Sequence, residues 1–133
     1  MNDEDVSAQF EWFHQLAELP PDQLAQQATP ANQAAFAAFV EASLPGHVAP
    51  LADSGEAFAK LVLDLRQNDI RWNKALMAAL IEADDLFKAR EPSKAVSLLE
   101  SFASNCPWLL YREVALDQSE VYAPDNNPDG SPA

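Results

Sequence analysis

The sequence predicts an all-α protein, a bundle of five to seven helices whose C-terminal half is a helical hairpin. Three observations point there. Every long segment repeats its apolar residues at the three-and-four spacing of one helical face, and none alternates as a strand does. Prolines fall between the periodic segments and not inside them, where they would remove a helix hydrogen bond. Hydrophobic residues make up 48% of the chain with only three glycines, a composition that suits packed helices and argues against disorder.

Taken in order, residues 4–19 form a first amphipathic helix with Val6, Phe10, Phe13 and Ala17 on one face and Trp12, Leu16 and Leu19 beside it. Acids in its first turn complement the positive end of the helix dipole. Pro20 and Pro21 stop it, and DQLAQQ adds a short turn. Thr29 before Pro30 is a cap followed by a first-turn proline, and Phe36, Phe39, Val40 and Leu44 line the helix that follows. Pro45 and Gly46 end it, and PGHVAPLADS is the longest internal loop. Asp53 with Glu56 three residues on forms a capping box for a helix facing inward through Phe58, Leu61, Val62 and Leu65. Asn68 and Asp69 are expected to break or bend that helix.

The strongest period lies between Asp69 and Tyr122 and predicts three more helices. Asp69 caps the first, whose face is Trp72, Leu76, Ala79, Leu80, Ala83 and Phe87; Lys88 and Arg90 close it as cations at the negative dipole end. Pro92 opens the second, with Ala95, Leu98, Leu99, Phe102 and Cys106 on its face. Asn105 is expected to cap a third, starting near Pro107, with Trp108, Tyr111 and Ala115 on one stripe and Leu110, Val114 and Val121 on another. Links this short make neighbouring helices antiparallel. Ala83, Ala95 and Pro107 fall twelve residues apart. In that spacing the segment resembles a single tetratricopeptide repeat, in which two small residues mark where paired helices touch and a proline ends the unit. Ala79, Glu82, Leu86, Pro92, Leu99 and Phe102 occupy the other signature positions, and most depart from the consensus. The resemblance covers about one repeat, whereas stacked arrays need about three.

The expected organisation is one helical domain over residues 1–122 and a disordered acidic tail over 123–133, rich in Pro, Asp, Asn and Gly. No apolar run is long enough to span a membrane, the N-terminus is acidic where a secretory signal is basic, and one cysteine forms no internal disulfide. These features predict a cytoplasmic protein, a monomer or a dimer.

Charge narrows the function. The net charge is −13, from 21 acids and 8 bases, and the first base is Lys60. Residues 1–59 hold nine acids and no Lys or Arg. Such a field repels nucleic acid and anionic lipid and draws in basic partners. Catalytic groups fail to assemble from the sequence. Cys106 at a helix start has only the distant His14 and His47 as conceivable bases. Glu82, Asp84 and Asp85 lack the Glu-x-x-His pairs of a bundle metal site. The expectation is a non-enzymatic protein without cofactor or metal that binds a basic protein partner. Glu11, Glu18, Glu41, Asp53 and Glu56 would supply the charge, and Trp12, Trp72 and Trp108 the apolar anchors. In size, acidity and helicity the chain resembles the small immunity proteins that bacteria pair with toxins, which implies an inhibitor of a basic toxin or effector. The tetratricopeptide resemblance implies the alternative, an adaptor or chaperone holding a peptide in a groove.

Overall fold

A computed structural model describes residues 3–123, with side chains from residue 7 onward. Its elements are α1 (Asp3–Ala17), α2 (Pro21–Gln26), α3 (Pro30–Ser43), α4 (Gly55–Lys88), α5 (Pro92–Asn105) and α6 (Leu109–Tyr122). No strand occurs among the described residues, so the all-α class and the helix number agree with the sequence reading. The helices gather into two compact units, the first ending at Ile70 and the second beginning at Arg71, inside α4. The Val6 side chain and all of the expected tail except Ala123 lie outside the described residues.

The first unit is held by phenylalanines. Phe10 and Phe13 on α1 meet Phe39 on α3 at ring separations of 5.2 and 4.7 Å, and Phe36 meets Phe58 of α4 at 5.8 Å. All five rings are buried, as are Leu24 of α2 and Val62 of α4. Burial is worth about 1.5–3 kcal/mol for each such side chain, and a well-oriented ring pair adds about 0.5–1.5 kcal/mol. Thr29 caps α3 as its sequence predicts, its Oγ1 accepting from the Asn32 amide at 3.1 Å. After α3, the His47 amide donates to the Leu44 carbonyl at 2.9 Å across Pro45 and Gly46, with Gly46 at φ +87°. That is a type II turn, whose third position needs positive φ and therefore glycine.

Three boundaries differ from expectation. The cap of α4 is Ser54, whose Oγ accepts from the Ala57 amide at 3.0 Å, so the Asp53–Glu56 box does not form. Neither Asn68 nor Asp69 breaks α4, which runs unbroken through both for 34 residues. Asp69 is a mid-helix residue and not an N-cap, because its carboxylate is taken up by side chains elsewhere in the first unit. Asn105 does not cap α6: it is the last residue of α5, with its Nδ2 donating back to the Ser101 carbonyl at 2.8 Å. Helix α6 starts two residues past Pro107 with Trp108 as its N-cap residue.

The second unit comprises the rest of α4 with α5 and α6. Trp72, early in this part of α4, meets Phe102, late in α5, with ring centres 5.9 Å apart, so the two helices run antiparallel. Phe87 at the end of α4 meets Tyr122 at the end of α6 at 4.8 Å, and Tyr122 Oη donates to Asp84 Oδ1 at 3.3 Å. Leu76, Ala79, Ala83, Ala95, Leu99, Ala103 and Ala115 fill the interior. Ala83 and Ala95, the small residues of the repeat-like spacing, are wholly buried. On α6 the stripe of Trp108, Tyr111 and Ala115 faces in. The other expected stripe does not: Val114 and Val121 are exposed and Leu110 half-buried, because Ser119 and Tyr122 complete the inward face.

Candidate interaction surface

The five acids singled out by the sequence are all exposed: Glu11 and Glu18 on α1, Glu41 on α3, Asp53 in the loop before α4 and Glu56 in its first turn. Within the first unit the only Lys and Arg are Lys60 and Arg66. Each is held by an acid, Lys60 Nζ by Asp64 Oδ2 at 2.9 Å and Arg66 by Asp69 Oδ2 at 2.5 Å. The described surface of this unit is therefore acidic. Glu56 is brought together with Asp22, Asp64 and Lys60 in an open depression of about 680 Å³ between α2 and α4. Gly55 lets α4 approach α2 closely, since a Cβ there would lie 2.5 Å from the Ala25 carbonyl oxygen.

The tryptophans do not share one role. Trp108 is fully buried against Tyr111 and is a core residue, which corrects its assignment as a partner anchor. Trp12 and Trp72 are half-buried, with Trp72 leaning on Phe102. Instead the most exposed large apolar residues described in the first unit lie in the loop between α3 and α4, where Val48 is 80% and Leu51 96% exposed, against 39% for Ile70 on α4. Beside them is an apolar groove of about 270 Å³, walled by Phe36 and Ala37 of α3, Pro50 and Leu51 of the loop, and Phe58 and Leu61 of α4. Among the described residues Gln33 is its single polar wall residue, and no charged side chain lines it. By its sequence this loop reads only as a connection. The signal was present in Val48 and Leu51, large apolar residues in a proline-flanked segment with no helical period.

A buried polar cluster also lies in this unit. Asp69, wholly buried, receives Arg66 from one turn earlier and approaches His14 Nε2 at 2.9 Å, while Arg66 Nη1 lies 3.2 Å from the same imidazole nitrogen. Burial of a carboxylate is tolerable only with such partners. The cluster ties α1 to α4.

The remaining chemical candidates keep structural roles. Cys106 is buried, its Sγ donating weakly to the Trp108 carbonyl at 3.8 Å. Burial pushes its thiol up, outweighing the lowering by that contact and by the Arg112 charge, whereas a nucleophile needs the reverse. Asp84 is paired with Lys88 at 2.7 Å, and Glu82 and Asp85 point to solvent. Among the described residues no three metal-capable side chains converge. No protein-family model, curated protein or solved structure matches this chain.

Proposed function

We propose that this chain is a non-enzymatic, acidic protein-binding domain of the immunity type, which binds and neutralises a basic toxin or effector. One observation carries the reading. The acids of residues 1–59 are accompanied by no Lys or Arg, and the two cations that complete the first unit are both occupied by acids of their own helix. A patch of one sign steers an oppositely charged protein and raises its association rate, an effect that fades with salt because the Debye length is about 8 Å at physiological ionic strength. Specific affinity then needs an apolar anchor at the centre of the contact. The fold supports such a role, since a buried aromatic core holds the helices that present Glu11, Glu18, Glu41 and Glu56, with Asp53 in the loop just before α4.

The test begins with the reading frames adjacent to the one encoding this chain. A neighbouring product with a basic C-terminal domain should arrest growth when expressed alone in a bacterial host, and co-expression of this chain should restore it. The purified pair should associate several-fold faster at low salt than at high salt. A partner that proves acidic, or an association rate indifferent to salt, overturns the proposal.

A further inference from the structure

We infer that the groove between α3, the 49–52 loop and α4 is the anchor pocket for an apolar side chain carried on a basic segment of the partner. This rests on the proposed function and names the place where the acidic surface becomes specific. The groove offers about 270 Å³ walled almost wholly by carbon. An enclosed space of about 150 Å³ accepts a benzene-sized molecule, so a leucine or phenylalanine side chain fits here. Leu51 stands at its edge almost fully exposed, and Val48 is nearly as open. Apolar side chains left in water beside an apolar groove gain by being covered, which is the usual composition of an interface centre ringed by polar groups.

Charge selects the occupant. Asp53 follows directly on the groove residue Ala52, whereas Glu56 faces the depression beside α2 and adds to the acidic field of the unit from the other side of α4. Among the described residues nothing cationic lines the groove. An anionic amphiphile such as a fatty acid would meet the acidic field of the whole unit, while lysines or arginines flanking an apolar side chain would be drawn to it. The chain's own C-terminal residues are unsuited, because PDNNPDGSPA has two aspartates and no large apolar side chain. The occupant that satisfies both the groove and the field is a basic segment with one apolar residue inserted and its cations against the acids.

The probe is a pair of synthetic helical peptides equal in length and lysine content, one with leucines at three-and-four spacing and one with serines in their place. Titration by fluorescence anisotropy at physiological salt should show the leucine peptide binding the intact chain at least tenfold tighter. Two variants close or dismantle the groove at exposed positions where the fold has little to lose: Ala34→Trp on α3 and Leu51→Ser in the loop. Both should abolish the leucine preference and leave the weak serine-peptide binding unchanged, with circular dichroism unaltered. Equal affinities of the two peptides for the intact chain, or a preference that survives in both variants, would overturn the inference. The serine peptide reports separately on charge. If its binding does not weaken with salt, the acidic-surface reading itself fails, whatever the groove does.

Discussion

Asp69 Oδ2 lies 2.9 Å from His14 Nε2, although the two residues are 55 positions apart in the chain. The contact closes α1 onto α4 and explains why α4 continues through Asn68 and Asp69. An aspartate favours helix ends when its carboxylate has only local backbone to bond. Here Arg66 and His14 offer side-chain partners on the buried face, so the carboxylate serves tertiary structure and the helix proceeds.

The partners of this cluster are unequal, which gives a first prediction. The Arg66 side chain is about one-third exposed and reaches water, whereas that of Asp69 is fully enclosed. Arg66→Met leaves a buried carboxylate without its guanidinium and should cost about 3 kcal/mol or more. Asp69→Asn leaves a guanidinium that can turn to solvent and should cost less. Urea denaturation of both variants decides it, and the reverse order would mean that Arg66 is not the main support of Asp69.

This cluster also marks how far the sequence could be read. The helices, the Thr29 cap, the prolines opening α3 and α5, and the inward faces of α1 and α3 follow from local chemistry, and the sequence shows them. The misplaced features are all residues that look like caps. Asp69 is claimed by Arg66 one turn earlier and by His14, 55 positions away, while Ser54 performs the capping of α4 in place of Asp53 and α5 absorbs Asn105. The exposed acids of the candidate surface are legible because charge needs no fold to be counted. The groove is not, since it exists only when Pro50 and Leu51 lie against Phe36 and Phe58. Trp108 sits by its spacing on a stripe with Tyr111 and Ala115 and by its residue type among the possible anchors, and its packing decides for the core.

Arg90 carries the second prediction. It ends α4 in the left-handed region at φ 66°, with its amide on the Phe87 carbonyl at 3.0 Å and the Glu91 amide on the Leu86 carbonyl at 2.9 Å. This closing pattern favours glycine, because a Cβ in that region costs about 1–2 kcal/mol. Arg90→Gly should stabilise by about 0.5–1 kcal/mol after loss of the favourable charge at the helix end. Arg90→Ala keeps the Cβ and should give no gain. A thermal melt in which alanine stabilises as much as glycine would contradict the strained backbone.

Gly55 should behave in the opposite sense to an ordinary helical glycine. Alanine in its place normally gains about 0.5–1 kcal/mol. Here the added Cβ would meet the Ala25 carbonyl oxygen at 2.5 Å and the Ala25 Cβ at 3.3 Å. Backbone must move to admit it, so Gly55→Ala should destabilise by about 1–3 kcal/mol. Stabilisation on denaturant unfolding would show that α2 and α4 are not in close contact.

Cys106 should be nearly inert to thiol reagents in the native protein and react quickly in urea. Burial raises its pKa above the ordinary value of 9.0. The associated stability is complete below that value and is lost as pH rises through the folded pKa, because the unfolded thiol ionises first. Cys106→Ala should therefore flatten the fall in stability above about pH 9. Rapid native labelling would place the thiol at the surface.

The last prediction concerns recognition. Glu11, Glu18 and Glu41 are exposed on α1 and α3, so their replacement by lysine removes no buried contact. Exposed substitutions of this kind usually change stability by less than about 0.5 kcal/mol each. Their effect should instead appear in encounter. Long-range attraction acts on the association rate, and reversing three charges takes the net charge of residues 1–70 from −9 to −3. With the basic partner, the triple variant should associate several-fold more slowly at low salt and at nearly the wild-type rate at high salt, where screening has removed the difference. Dissociation should hardly change, since it is governed by short-range packing. Stopped-flow measurement across a salt series separates the two. A triple variant that associates as fast as wild type at low salt would remove the acidic surface of α1 and α3 from the mechanism.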